Sequence, residues 1–185
     1  YRVGDLTNPD DPALDLIDEA CSDMASRLFI RIREELGLAY SVGSTRMQGL
    51  EPGLVIFYAS TSPENLDRVQ EEMLDEIISL RREGLTKEEF DRAKASWLGR
   101  EVIRLQGVRE LAGSATIDEL VSLGWDNYRK APDEIRALTR EQIRQAAEKW
   151  LAKEASVIQL TQRLMRMPIA AILSSPLGQL AWHCD

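Results

Sequence analysis

Imidazole and thiol are almost missing from this chain. Of its 185 residues one is a histidine, His183, and two are cysteines, Cys21 and Cys184. A zinc centre built on imidazole needs two or three convergent ligands, so a self-contained site is excluded, and His183 beside Cys184 reads as an accident of a loose tail. Two cysteines make no disulfide framework; they fit a reducing compartment and equally a bacterial periplasm. The expected location is a bacterial cytoplasm or periplasm rather than the secreted space. Positive charge is short as well, with 23 Lys and Arg against 31 Asp and Glu and a net charge of -8. Phosphate neutralisation needs a basic stripe, and none is visible, which excludes nucleic acid as a partner. There is no glycine-rich phosphate loop, no Gly-x-Ser-x-Gly elbow and no Cys-x-x-Cys. The apolar run from Pro168 to Leu173, followed by Pro176-Leu177-Gly178, is too short and interrupted to span a bilayer, so no membrane partner is expected.

What remains is ordinary for a soluble globular protein, 44% apolar and 29% charged. The length suits one large domain or a module cut from something longer. Tyr1-Arg2-Val3-Gly4 reads as the end of a strand with no signal peptide before it, an expectation that the sequence starts inside a larger polypeptide.

Asp11 as N-cap and Pro12 at the first helical position open a helix whose Leu14, Ile17, Cys21, Met24 and Leu28 form one buried stripe, with a break and re-cap at Ser22-Asp23 or Ser26. A second helix over residues 26–36 stops at Gly37. Leu38 to Met47 and Leu54 to Ala59 read as an antiparallel strand pair joined through Gln48-Gly49-Leu50-Glu51-Pro52-Gly53. Ser62-Pro63 opens a helix with Leu66, Val69, Met73, Ile77 and Leu80 on its core face, closed by Gly84. Thr86-Lys87-Glu88-Glu89 is a capping box before Phe90, Ala93 and Trp97; a helical run from about Arg109 ends at Gly124; Thr139-Arg140-Glu141-Gln142 is a second capping box before Ile143, Ala146, Ala147, Trp150 and Leu151. Ser156 to Thr161 reads as a last strand. Long helices beside a small, mostly antiparallel sheet predict an α+β two-layer sandwich over residues 1–161, with 162–185 as a tail outside the fold.

Acid pairs such as Glu34-Glu35 and Glu88-Glu89 point to different azimuths of a helix and solvate a face. Two residues stand out instead. In an α-helix over 26–36, Arg33 neighbours Phe29, Ile30, Leu36 and Gly37 on the apolar side, while Arg27, Arg31, Glu34 and Glu35 share the solvated side. Tyr40, seven positions on, shares a strand face with Leu38 and Val42. A guanidinium and a phenol both donate hydrogen bonds to a peptide carbonyl or an oxyanion. The structural alternative is an Arg33 paired with a nearby carboxylate and a Tyr40 in the core with its hydroxyl satisfied.

Several stretches taken together carry a resemblance: Asn8-Pro9-Asp10-x-Pro12-Ala13-Leu14, Ser26-Arg27-Leu28-Phe29, Ile32-Arg33-Glu34-Glu35-Leu36-Gly37-Leu38-Ala39-Tyr40-Ser41-Val42, Tyr58-Ala59-Ser60-Thr61-Ser62-Pro63-Glu64-Asn65, and Gly84-Leu85-Thr86-Lys87-Glu88-Glu89-Phe90-Asp91-Arg92-Ala93-Lys94. In that order they resemble the C-terminal domain of the pitrilysin family, which includes insulin-degrading enzyme and the mitochondrial processing peptidase. In that family a first domain binds zinc through His-x-x-Glu-His; this sequence has no such motif and resembles the second, metal-free half. The resemblance implies that Arg33 and Tyr40 enter the active-site cleft of a zinc endopeptidase, contacting the substrate backbone and stabilising the tetrahedral oxyanion. It implies no metal in this chain, zinc on a partner half, a zinc-bearing His-x-x-Glu-His domain or subunit and an unfolded peptide as partners, and a homo- or hetero-dimer as one form of assembly. Peptides in the family lie as an added strand on a sheet edge. Ala20-Cys21-Ser22-Asp23-Met24-Ala25 stands where many relatives have a glycine-rich turn, so a role for such a loop is not carried over. By the same resemblance the half is inactive alone. The alternative is a non-catalytic assembly subunit with the same fold, which predicts Arg33 tied into an internal ion pair; a third is an independent metal enzyme using acidic residues.

Overall fold

The computed structural model describes residues 1–49 and 52–152. The strand expected at Ser156 to Thr161, the tail 162–185, His183 and Cys184 lie outside the described residues. The first helix, α1, spans Asp11–Ser22 and is the hub of the core. Leu14, Leu16, Ile17, Ala20 and Cys21 are all shut from solvent, so α1 is covered on more than one side. Such a helix needs partners around most of its girth. It finds them in β1 (Ala39–Met47), in α3 (Lys87–Arg104) and in α6 (Arg140–Trp150).

The strand β1 pairs antiparallel with β2 (Leu54–Thr61), and Arg2 bridges to Leu54 on the far side of β2. The N-terminal residues therefore continue the sheet as expected: Val3 N–H donates to the Gly53 carbonyl at 2.9 Å and Val55 N–H to that of Tyr1 at 2.9 Å. The remaining helices are α2 (Leu66–Glu83), α4 (Val108–Leu120) and α5 (Ala131–Ala137). Both expected capping boxes form, at Thr86 with Glu89 and at Thr139 with Gln142. Gly84 and Gly124 take positive φ at 76° and 90°, the left-handed region that glycine enters without a Cβ clash. No helix among the described residues is long and apolar enough to cross a membrane. The result is the α+β arrangement of helices on a small antiparallel sheet.

Polar groups also hold α1 to β1. Asp11, Asp15 and Asp18 recur at helical spacing on one face of α1, and Ser44, Arg46 and Gln48 recur with period two on the facing side of β1 and just beyond it. Ser44 Oγ donates to Asp18 Oδ1 at 2.6 Å, Arg46 Nη2 to Asp11 Oδ1 at 2.5 Å, and Gln48 Nε2 to Asp11 Oδ2 at 2.9 Å. Arg46 also pairs with Asp15, which takes a further bond from Trp97 Nε1 at 3.3 Å.

Several expectations need correction. Asp11 is the first residue of α1 and Asp10 its N-cap, because the Asp11 carboxylate is committed to Arg46 and Gln48 rather than to the helix amides. Met24 is 78% exposed, since the chain leaves the helix at Asp23 and turns before Ser26. Ser26 makes the re-cap: its hydroxyl accepts from Phe29 N–H at 3.2 Å. Arg27 is not on a solvated face; it lies with Glu89 in a pair whose side chains are each 13% exposed.

Candidate functional site

The helix that carries Arg33 is a π-helix, Phe29–Glu35, rather than the α-helix expected. Its wider turn shows in Leu36 N–H, which donates to the carbonyl of Arg31, five residues back, at 3.2 Å. Gly37 then takes φ 61°, with open space where a side chain would begin, and Leu38 N–H reaches the Ile32 carbonyl at 2.9 Å. A π-helix is an α-helix with one residue too many per turn, so side-chain azimuths after the insertion are rotated from the α-helical reading. Arg33 sits above Phe29, its guanidinium carbon 4.7 Å from the ring centre.

Tyr40 departs from expectation for a different reason. Ala39 pairs with Thr61 and Ser41 with Ser60, which leaves Tyr40 as the extra residue of a β-bulge. A bulge inserts one residue and breaks the strict alternation of faces. Leu38 and Val42 are buried at 7% and 6% exposure, whereas Tyr40 is 81% exposed. The reading that placed all three on one face, and the alternative of Tyr40 in the core, are both corrected by that inserted residue. Thr61 Oγ1 closes the bulge by donating to the Leu38 carbonyl at 2.5 Å.

The two irregularities flank Gly37 and bring the expected pair together. The Arg33 guanidinium lies 5.7 Å from the centre of the Tyr40 ring. The Arg33 side chain is 41% exposed, and its contact with a carboxylate is Glu34 Oε1 at 4.0 Å, the outer limit of an ion pair. Among the described residues neither the guanidinium nor the Tyr40 hydroxyl makes a hydrogen bond. The arrangement thus offers a fork of N–H donors beside the ring of an exposed tyrosine, and a guanidinium and a phenol are both donors that suit a carbonyl oxygen or an oxyanion.

The supporting contacts are only partly visible in the sequence. Arg27 donates to Glu89 through Nε at 2.9 Å and Nη2 at 2.6 Å, and to the Gly84 carbonyl at 3.1 Å, which ties the start of the π-helix to the N-terminus of α3. Burial alone would raise the Glu89 carboxyl, but the bonds from Arg27 and the Thr86 amide hold it below the usual range. Arg31 bridges Glu35 and Glu72, at 3.0 Å each, joining the π-helix to α2. Phe29 is placed beside Arg33 by the sequence, but its role as a platform for the guanidinium is what sequence reasoning passes over. Its signal is an aromatic four residues before a cation on one helix.

No group of three or more His, Cys, Asp or Glu is placed to hold a metal ion among the described residues. A cleft of about 730 Å³ elsewhere, lined by Asp15, Trp97, Arg100, Glu101, Arg104 and Asp118 among others, is largely committed internally. There Arg104 is bound to both oxygens of Glu101 and to Ser114 Oγ.

Known proteins are similar to this chain in sequence and in fold. Residues 1–96 match the family model of the peptidase M16 inactive domain. An uncharacterized zinc protease of Streptomyces coelicolor is 31% identical over 137 residues, covering 72% of this chain and 29% of that protein. The uncharacterized zinc protease YmxG of Bacillus subtilis is 28% identical over 110 residues, covering 54% of this chain and 27% of that protein. The matched stretch is therefore under a third of the length of either relative. Among solved structures, an inactive peptidase domain from Bordetella parapertussis superposes with a TM-score of 0.75 at 23% identity, covering 84% of this chain and 85% of that one. That likeness shows the fold.

Proposed function

This chain belongs to the peptidase M16 inactive-domain family, and from that premise we propose that it is the substrate-binding, metal-free half of a zinc-dependent endopeptidase. Asp11, Asp15 and Asp18, three acids on one face of α1, do not fit zinc, because their carboxylates are spent on Arg46, Ser44 and Gln48. Zinc is assigned to a partner half bearing His-x-x-Glu-His. The share of this chain is to bind an unfolded peptide and to donate hydrogen bonds from Arg33 and Tyr40 as the tetrahedral oxyanion forms. Donors aimed at developing charge are worth most when they are already in place and not satisfied by other groups.

The observation that carries the reading is the adjacency of Arg33 and Tyr40, 5.7 Å from guanidinium to ring, with both polar tips free of hydrogen bonds among the described residues. The assembly-subunit reading expects Arg33 locked in an internal ion pair, and its contact with Glu34 at 4.0 Å does not favour that. The test is peptide cleavage by this chain joined to its zinc-bearing half. Arg33→Ala and Tyr40→Phe are each expected to lower kcat/KM about a hundredfold, the lower end of the range seen when one oxyanion donor is lost. Unchanged turnover in both variants would remove the catalytic-support role.

A further inference from the structure

We infer that Phe29 is a positioning residue for Arg33, holding the guanidinium toward substrate while leaving its donors unspent. The inference rests on the reading of Arg33 as a substrate-facing donor. An exposed arginine near Glu34 and Glu35 has carboxylates at hand, and pairing with either would consume the N–H groups needed for a peptide. In the fold the guanidinium instead lies over Phe29, at 4.7 Å, and touches Glu34 only at 4.0 Å. An aromatic face attracts a cation through its quadrupole and accepts no hydrogen bond in the ordinary sense, so the charge is held and the donors stay free.

Phe29 is built to be a fixed platform. Its ring is half-buried and packs against the hydrophobic core, so it has little freedom to move away. Its backbone is pinned by the Ser26 hydroxyl, which accepts Phe29 N–H at 3.2 Å. The four-residue spacing on one helix sets Phe29 beneath Arg33, and the bulge at Tyr40 brings a second ring to 5.7 Å from the same guanidinium. Arg33 is thus placed by two rings, of which Phe29 is the nearer and the one anchored in the core.

The experiment is a double-mutant cycle in the joined enzyme, measuring kcat and KM for peptide cleavage with Phe29→Leu, Phe29→Tyr, Arg33→Ala and the Phe29→Leu/Arg33→Ala pair. Phe29→Leu is expected to lower kcat about fivefold with KM nearly unchanged, Phe29→Tyr to retain parent kcat, and Phe29→Leu to change kcat by less than about twofold once Arg33 is alanine. Phe29→Met, which fills similar volume without a π face, carries the comparison where Phe29→Leu does not fold. Equal losses from Phe29→Leu with and without Arg33 would overturn the inference, because the ring would then act on substrate or fold directly. Full turnover by Arg33→Ala alone overturns the underlying reading instead, and needs no Phe29 variant to be seen.

Discussion

Glu89 accepts two hydrogen bonds from Arg27, at 2.9 and 2.6 Å, while the same carboxylate receives the Thr86 amide at 2.8 Å and so closes the capping box of α3. One side chain joins the start of the π-helix to the start of α3. Its two duties separate by substitution. Glu89→Ala removes both, and the loss is expected to be about 3 kcal/mol, because Arg27 is left largely buried with the Gly84 carbonyl but without its carboxylate partner. Glu89→Gln keeps an acceptor for the cap and is expected to lose roughly half as much. Chemical denaturation of the three proteins checks this, and equal stabilities for Ala and Gln would show that the ion pair contributes all of the effect.

The contrast between that residue's two roles shows what the sequence reveals. The cap is legible because a threonine and a glutamate three residues apart satisfy one another locally. The ion pair is not, because Arg27 and Glu89 are 62 positions apart and only the folded chain brings them together. Glycine stops, paired strands and core stripes are legible for the same local reason. The π-helix at Phe29–Glu35 reads as α because an apolar spacing of three and four does not reveal one added residue. Tyr40 falls on the wrong face in a sequence reading because a bulge is set by the register with β2, here Ala39 to Thr61 and Ser41 to Ser60, and not by the strand's own sequence. α5, one short helix of seven residues led by Pro132, carries too little periodicity to be seen at all. Arg33 and Tyr40 are singled out by type and spacing, which these local irregularities leave unchanged, and the fold brings the guanidinium to 5.7 Å from the ring.

Thr61 tests the bulge. Its hydroxyl donates to the Leu38 carbonyl beside the inserted Tyr40, at 2.5 Å. Thr61→Val keeps the shape and removes the donor, at an expected cost of about 1 kcal/mol and roughly 2–4 °C in melting temperature. The melting curve of the variant checks the number. An unchanged Tm would mean that the bulge holds without this bond.

Asp15 gives the protein a pH signature. Burial, reinforced by the neighbouring Asp11, pushes its carboxyl from 3.8 up to about 6, against the opposing charge of Arg46 and the Trp97 bond. Asp11 and Asp18 move upward as well, also chiefly through burial. A carboxyl whose folded value exceeds its unfolded value binds its proton more tightly in the folded state. The contribution of Asp15 to stability is therefore greatest below the unfolded value of 3.8, declines as pH rises to about 6, and is flat above that. Asp15→Asn should remove that decline, so the stability difference between variant and parent should change across this window and be constant above it. Parallel stability curves for the two proteins would contradict the assignment.

The central claim is that Arg33 and Tyr40 meet the peptide. The measurement that addresses it most directly is a crystal structure of this chain joined to its zinc-bearing half with an uncleaved peptide bound. The account predicts the Arg33 guanidinium and the Tyr40 hydroxyl within about 3.2 Å of main-chain oxygens of the peptide at the scissile bond. A bound peptide with both side chains turned away from it, or Arg33 closed into an ion pair with Glu34, would contradict the account.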